Sequence, residues 1–273
     1  MIKNSISLLI IFFLVTHCCS MDMTKQTLYL GLCTEFWDLD KPTPPIDEHL
    51  FFRHYVAQSA GTILEPMCGS GRYMIPLLEE GFNIEGFDAS PFMFKALRTK
   101  CAQKNLSPRI WEQFLEVVPE TKQYQLIFIP DTSFCHFLNT SDIKKALQKI
   151  HSLLLPGGTF VFDLQTPFQQ FDHIGVWTGK AYKKSDGDTI IESTLMLPIQ
   201  NSIAPLIVRY ELMSGTEIVK TEMEHYQIKL YQLEEMDVLL KEVGFRRIKK
   251  MPAYDREGTL SAQEGIIVYE CKK

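Results

Sequence analysis

The sequence lacks several features that would assign it at once to a common class of protein. None of its seven cysteines forms a C-x-x-C pair, which argues against a zinc ribbon or a thioredoxin-type redox site. It has no excess of basic residues, since 28 lysines and arginines stand against 33 aspartates and glutamates and give a net charge of −5 at pH 7. A mildly acidic chain argues against a nucleic-acid partner, because nucleic-acid-binding proteins usually present a basic face.

No internal repeat or low-complexity tract divides the 273 residues, so the length suits one large domain or one domain with an insertion. Between residues 63 and 165, short apolar segments alternate with amphipathic ones about every twenty residues, which is typical of a parallel sheet with helices on both faces. The apolar segments are nearly uninterrupted, as in strands that are covered on both sides. The pattern predicts a doubly wound, mostly parallel α/β fold.

The pattern changes after Pro167. Apolar and polar residues then alternate around the turn residues Asp186-Gly187 and Ser214-Gly215, which predicts antiparallel hairpins. An amphipathic helix that ends at Gly244 and two short strands follow. We therefore expect residues 21–273 to form one domain with a β-rich antiparallel insertion over residues 168–232. Residues 21–45 are interpreted as a polar and aromatic lead-in without a predicted helix.

The segment ILEPMCGSGRY, from Ile63 to Tyr73, places two glycines directly after an apolar strand. In an open parallel sheet, ligands bind beyond the carboxyl ends of the strands, so the segment indicates a ligand close to the main chain. A Cβ atom at Gly69 or Gly71 would obstruct that approach or forbid a positive φ angle. The G-x-G-x-x-G pattern of dinucleotide sites is incomplete, because its third position is Met74.

Two acids at the strand ends indicate the charge of this ligand. Glu65 precedes the glycines, where a carboxylate would repel a pyrophosphate but would bind an ammonium group. Asp88 ends the next strand, where an acid can accept both hydroxyls of a ribose. The ligand should therefore carry a ribose and a cation. Arg72, between these acids in the sequence, could touch the ligand or only pair locally.

Four segments together resemble the class I S-adenosylmethionine-dependent methyltransferases: LEPMCGSGR, GFDAS followed by Met93, YQLIFIPDTSFCHF and LLLPGGTFVFDL. The resemblance covers most of residues 29–273. It implies a seven-stranded sheet with an antiparallel last hairpin, S-adenosylmethionine as the cosubstrate and S-adenosylhomocysteine as the product.

The resemblance also implies which residues bind the cosubstrate, although the segment WEQF departs from the aspartate that the family often has there and leaves Glu112 and Gln113 as alternatives. Glu65, Gly69, Ser70 and Gly71 are expected to contact the methionine part, and Asp88 the ribose. The adenine is expected to lie against Ala89, Met93, Gln113 and Phe114, and the sulfonium beside Pro130.

The expected reaction moves a methyl group to a nitrogen or oxygen atom of a small molecule by in-line displacement. A neutral amine needs no general base and a hydroxyl benefits from one, so Asp131 and His136 are candidate catalytic residues. Asp163 could be functional or structural. The residues predicted to bind the acceptor are Tyr29, Trp37, Ser133, Phe134, Arg209 and Tyr226.

Other functions remain open at this point. The segment IPDTSF lacks the Asp/Asn-Pro-Pro-aromatic sequence used on nucleobase amines, which argues against a nucleic-acid acceptor. The alternatives are a protein that binds S-adenosylmethionine without turnover, a protein methyltransferase and an NAD-linked oxidoreductase. No metal site is predicted, and we expect a monomer or a homodimer.

The first twenty residues raise the question of targeting. Their apolar run from Ile6 to Val15 is shorter than the roughly twenty residues of a membrane span and fits the core of a secretory signal, yet no small-x-small cleavage site follows. An over-extended start, with Met21 or Met23 as the true first residue, is the preferred interpretation. Because S-adenosylmethionine is made in the cytosol, we expect a cytoplasmic enzyme, or at most a tether that faces the cytoplasm.

Overall fold

The protein is described by a computed structural model that covers residues 29–273, so the predicted segment 1–20 lies outside the described residues. The described strands are, in chain order, β1 (Ile63–Pro66), β2 (Ile84–Asp88), β3 (Ile110–Glu112), β4 (Tyr124–Ile129), β5 (Leu154–Gln165), β6 (Trp177–Lys183), β7 (Thr189–Met196), β8 (Ile203–Ser214), β9 (Glu217–Lys229), β10 (Arg247–Pro252) and β11 (Ile266–Lys272). The described helices are α1 (Gly31–Asp40), α2 (Ile46–Gln58), α3 (Met74–Glu79), α4 (Pro91–Gln103), α5 (Thr140–Leu153) and α6 (Leu233–Val243).

The main sheet has seven strands in the order β10-β11-β5-β4-β1-β2-β3. The first five strands of the chain pair in parallel, and β11 is antiparallel to both β5 and β10. Successive residues of β4 face opposite sides of this sheet, as expected for a strand that is covered twice. Ile127 and Ile129 pack with α5 and α6, whereas Leu126 and Phe128 pack with α2 and α3. The predicted doubly wound fold is confirmed.

A second sheet of four antiparallel strands, in the order β6-β7-β8-β9, follows the fifth strand of the main sheet. Its outer hairpins turn at Gly187 and Gly215, whose φ angles of 99° and 60° favour glycine. These are the two turns that the sequence predicts. The division of the chain into a domain and an insertion at residues 168 and 232 remains a prediction.

Helix α1 is absent from the sequence-based prediction, which interprets residues 21–45 as an irregular lead-in. It packs its buried side chains Leu32, Cys33 and Phe36 on the second sheet, against Val208 and Tyr210. The helix therefore joins the second sheet to the edge of the main one. Between residues 29 and 273, no helix is long and apolar enough to cross a membrane.

Candidate active site

A cleft of about 700 Å³ opens at the carboxyl ends of β1, β2 and β4, under α1 and the second sheet. Ligand-binding clefts commonly have a volume of about 300–1,000 Å³ and lie at this edge of a doubly wound sheet. The main sheet supplies the floor of the cleft. Tyr29 and Trp37 beside and within α1, together with Leu206 and Tyr226 of the second sheet, complete its wall.

The glycine loop between β1 and α3 uses its two glycines differently. Gly69 lines the cleft with a φ angle of 53°, and an added Cβ would meet only the Met93 sulfur, at 3.9 Å, so its main chain stands open to a ligand. Gly71 has a φ angle of 88°, and an added Cβ would lie 2.4 Å from Cδ1 of Leu97. Gly71 is not among the residues that line the cleft. It lets the loop pack against α4, so the structure does not place it in contact with the ligand as the resemblance implies.

Glu65, at the end of β1, faces the cleft from a buried position with only 2% of its surface exposed. Its Oε2 atom has no hydrogen-bond partner among the described residues. Burial, and secondarily the nearby Asp88, raise the pKa of this carboxyl well above its usual range. A buried, unpartnered carboxylate is costly, and a bound cation would offset that cost.

Asp88, at the end of β2, lies in the cleft and holds the main chain of the two loops beside it. Its Oδ2 accepts the Gly69 N–H and its Oδ1 accepts the Ser90 N–H, both at 2.8 Å. Ser90 in turn caps α4 by accepting the Met93 N–H at 3.2 Å. A carboxylate has about four acceptor positions, so both oxygens can still accept the hydroxyls of a ribose.

The far end of the cleft lies beyond β2 and β3. The Gln113 N–H donates to the Asp88 carbonyl at 2.9 Å, which extends the pairing of these strands past the last residue of β3. Phe114 follows, half exposed at the rim. The residues that line this end include four of the predicted adenine-side residues, namely Ala89, Met93, Gln113 and Phe114. The cleft lining thus runs from Glu65 past Asp88 to this end, which is the order in which the resemblance places the methionine part, the ribose and the adenine.

The loop after β4 holds two consecutive non-glycine residues with positive φ angles, Asp131 at 59° and Thr132 at 54°. Asp163 on β5 holds this loop, because its Oδ1 accepts the Thr132 N–H at 2.8 Å and its Oδ2 accepts the Tyr254 hydroxyl at 2.6 Å. Asp163 is fully buried, and burial raises its pKa to about 7. Its contacts are those of a structural residue.

The same loop separates three predicted residues. Pro130 and Ser133 line the cleft, and the Ser133 hydroxyl donates to the Pro130 carbonyl at 2.9 Å. Phe134 does not line it. Its ring is fully buried in the core, 5.1 Å from the Phe162 ring, because the short 3-10 helix Ser133–His136 turns it toward β5. The prediction that Phe134 binds the acceptor is corrected accordingly.

His136 and Tyr29 meet on the acceptor side of the cleft. The Tyr29 hydroxyl and Nε2 of His136 are 2.9 Å apart, and their rings are edge to face. Burial lowers the pKa of His136, so its imidazole is neutral at pH 7. Nδ1 of His136 has no hydrogen-bond partner among the described residues. Burial also raises the pKa of Tyr29 well above its usual range, so the phenol stays protonated.

Two glutamates of β9 place Tyr29 there. Glu224 accepts the N–H groups of Tyr29 and Leu30 at 2.9 and 2.6 Å, and Glu222 accepts the Leu32 N–H at 2.7 Å. Carboxylates at a helix N-terminus satisfy its free N–H groups and interact favourably with its dipole. The other end of α1 is held by Asp38, which accepts the Ser70 hydroxyl at 2.5 Å and the Lys100 ammonium at 2.7 Å. Sequence reasoning missed these contacts, which join residues far apart in the chain.

Arg209 lies outside the cleft. Its Nε is 3.3 Å from Glu211, and its guanidinium lies over the Trp177 ring at 5.6 Å, on the face of the second sheet opposite to α1. Successive residues of a strand point to opposite faces, and the neighbours Val208 and Tyr210 take the α1 side. The structure does not support the prediction that Arg209 binds the acceptor. Tyr226 does line the cleft, and its hydroxyl is 2.9 Å from the buried Cys33 sulfur.

Comparisons with known proteins agree with this geometry. Residues 63–158 match a family model described as a methyltransferase domain. A glycine/sarcosine N-methyltransferase of Parasynechococcus marenigrum is 23% identical over 242 residues, which are 85% of this chain and 80% of that protein.

Solved structures share the fold. An S-adenosylmethionine-dependent methyltransferase of Clostridium acetobutylicum matches with a TM-score of 0.70 at 18% identity, over 87% of this chain and 96% of that one. A sugar N-methyltransferase of a Streptoalloteichus species matches with a TM-score of 0.69 at 16% identity, over 98% of both chains. The fold and the match of residues 63–158 agree with the resemblance that the sequence motifs indicate.

Proposed function

We propose that this chain is a class I S-adenosylmethionine-dependent methyltransferase that methylates an amino group of a small molecule. The observation that carries this proposal is the charge of the cleft. Its lining includes the carboxylates Glu65, Asp88, Glu116, Asp131 and Asp142, whereas Arg72 is the only lysine or arginine among the described residues that line it. An acid-rich cleft concentrates cationic molecules, and an amine is cationic in water at pH 7.

The shape of the cleft supports a small acceptor. Its acceptor side is covered by α1, by the second-sheet residues Leu206 and Ile207, and by Leu197, which follows β7. Aromatic rings are grouped there, with Tyr29 at 5.5 Å from Tyr226 and at 6.2 Å from Trp37. Aromatic faces favour amines and methylated cations. A covered, aromatic space favours a small amine over the side chain of a folded protein.

When bound, the cosubstrate supplies an activated methyl group, and the protein chiefly aligns the acceptor with it. The amine nitrogen attacks the methyl carbon while the carbon–sulfur bond breaks and its electron pair passes to sulfur. The nitrogen attacks only as the neutral amine, so an ammonium that enters the cleft must first lose a proton. In this proposal neutral His136 accepts that proton, directly or through the Tyr29 hydroxyl, which is 2.9 Å from its Nε2. Asp131 suits this role less, because it is paired with Arg72 at 3.0 Å.

Relatives of the chain favour nitrogen over oxygen as the acceptor atom. Their names describe N-methyltransferases of glycine, sarcosine and sugars. The identities are low, so these names suggest a class of acceptor and not one compound. For this chain, the proposal of an amine acceptor rests on the acidic lining of the cleft and on its aromatic rings.

A matched pair of acceptors tests the proposal. The full chain is incubated with S-adenosylmethionine carrying a radiolabelled methyl group and, in parallel, with amines and their hydroxyl counterparts: glycine against glycolate, and an aminohexose against the hexose. We expect label in an amine and none in its hydroxyl counterpart. Label in a hydroxyl compound or in protein alone would contradict the proposal, as would binding of the cosubstrate without label in any member of a broad amine set.

A further inference from the structure

The turn that follows β4 forms part of the cleft, and a buried acid outside the cleft holds it. Pro130, Asp131 and Ser133 line the cleft, whereas Asp163 lies on β5 in the core and is not among the lining residues. We infer that Asp163 is a positioning residue, whose carboxylate holds this turn in the shape that binds the cosubstrate. The inference rests on the proposed function, because it takes S-adenosylmethionine as the ligand of the cleft.

The turn is strained at both of its central residues. The Ser133 N–H donates to the Pro130 carbonyl at 3.3 Å, and between them Asp131 and Thr132 have φ angles of 59° and 54°. Glycine and asparagine favour positive φ angles at both central positions of a turn, whereas a β-branched residue such as threonine rarely adopts one. Strained residues keep their conformation only where the surrounding structure holds them, and they cluster at functional sites. The turn therefore depends on a contact that holds it.

Asp163 supplies that contact and is itself held from its other side. Its Oδ1 accepts the Thr132 N–H at 2.8 Å, and its Oδ2 accepts the Tyr254 hydroxyl at 2.6 Å. Tyr254 also has a positive φ angle, 55°, and its ring packs against Phe51 and Phe52. One carboxylate thus joins two strained segments that follow different strands. Hydrogen bonds to an ionised carboxylate are roughly twice as strong as those between neutral groups, so the hold depends on the charge of Asp163.

The charge of Asp163 changes close to neutral pH. Burial raises its pKa to about 7, although its two hydrogen-bond donors act in the opposite direction. The titratable and charged groups that face it are Tyr254 after β10, Asp131 after β4 with its partner Arg72, Glu48 on α2, and Cys135 in the 3-10 helix. Because burial favours the neutral form, ionisation lowers the free energy of unfolding as the pH rises towards 7. The same ionisation strengthens the hold on the turn, so position and stability change in opposite directions.

The experiment separates these two effects without any acceptor. Binding of S-adenosylhomocysteine to the full chain is measured by calorimetry from about pH 5 to about pH 9, for the wild type and for Asp163→Asn. Each affinity is divided by that of Asp163→Asn at the same pH, which cancels the titration of Glu65 that all the proteins share. Tyr254→Phe removes one hydrogen bond to Asp163. Its control is Tyr55→Phe, since the Tyr55 hydroxyl donates to Glu270 at 2.9 Å, outside the cleft lining.

Above pH 7 we expect the wild type to bind about 3- to 10-fold more tightly than Asp163→Asn, the effect of one weakened hydrogen bond. This ratio should fall to about 1 below pH 7, where Asp163 of the wild type is neutral. Tyr254→Phe should move the change to higher pH, because the lost hydroxyl favours the ionised form, and Tyr55→Phe should not move it. At alkaline pH, Asp163→Asn should melt no lower than the wild type, because asparagine removes a buried charge.

Two outcomes would overturn the inference. A ratio that does not change with pH would leave Asp163 only a structural role, and equal affinities at every pH would show that the turn does not need it. If circular dichroism shows that Asp163→Asn does not fold, the wild type still provides a test. Its Thr132 amide proton, followed by NMR without ligand, should shift with a midpoint near pH 7, and a constant shift would contradict the inference. Failure of the wild type to bind S-adenosylhomocysteine at any pH would contradict the proposed function instead.

Discussion

At the scale of single residues, Glu65 is the group whose protonation should change when the ligand binds. Its raised pKa reflects burial first and the neighbouring Asp88 second. An ammonium placed beside it favours the charged form and lowers the pKa again. Binding of S-adenosylhomocysteine should therefore release a proton from Glu65, and the affinity should rise with pH until Glu65 is ionised in the free protein.

Calorimetry in buffers of different ionisation enthalpy measures that release. For the wild type we expect the binding enthalpy to vary with the buffer at acidic pH, where Glu65 is still protonated in the free protein, and the variation to fade as the pH is raised. Glu65→Gln should remove the variation and weaken binding by about 10- to 100-fold. A buffer-independent enthalpy in the wild type would show that Glu65 does not meet the cation.

Single residues also show where reasoning from sequence reached its limit. The sequence predicts Glu65 and Asp88 at the ligand site, and both line the cleft, because the end of an apolar strand is a local signal. The positions of Arg209 and Phe134 could not be predicted in the same way. The face on which Arg209 lies depends on the pairing register of its strand with distant strands, and the direction of the Phe134 side chain depends on a 3-10 turn. Gly71 is predicted to contact the ligand, but in the structure a Cβ added there would clash with Leu97, a proximity that no local pattern reveals.

At the scale of secondary structure, α1 is the element that closes the cleft, and its stability depends on β9. No side chain caps its N-terminus locally, and its first turn contains no acidic residue. The carboxylates of Glu222 and Glu224 supply that cap from about 190 residues away. This explains why the sequence predicts the strands and most helices but not α1, because its stabilising groups lie outside any local window.

Removing one of these carboxylates should loosen the helix. Glu224→Ala leaves the N–H groups of Tyr29 and Leu30 without acceptors, at an expected cost of about 1–2 kcal/mol for this end of the helix. Hydrogen exchange of the amides of residues 30–36 should accelerate, while exchange in β4 and β5 stays slow. Binding of S-adenosylhomocysteine should weaken, because Tyr29 and Trp37 line the cleft.

A control on the same strand is Glu217→Ala, which changes an exposed glutamate at the start of β9, outside the cleft lining. It should leave exchange in α1 and binding unchanged. Unaltered protection of α1 in Glu224→Ala would contradict the assigned role of the glutamate cap.

At the scale of the whole molecule, two sheets share one cleft. The main sheet offers acids and open main chain for a cationic nucleoside, and the second sheet with α1 offers a covered, aromatic space for an acceptor. This division separates binding of the cosubstrate from choice of the acceptor. The alternation of strands and helices in the sequence predicts the cosubstrate side of the cleft. The acceptor side could not be predicted, because it depends on how α1 packs on the second sheet. The expected cytoplasmic location remains a prediction.

The central claim is that the cleft is built for a nucleoside bearing a cationic amino acid, and titration of the full chain with S-adenosylhomocysteine tests it most directly, with NAD as the control ligand. The account predicts saturable binding of one S-adenosylhomocysteine per chain and no measurable heat from NAD, whose pyrophosphate would meet the carboxylate of Glu65. Binding of NAD, or no binding of S-adenosylhomocysteine, would contradict it.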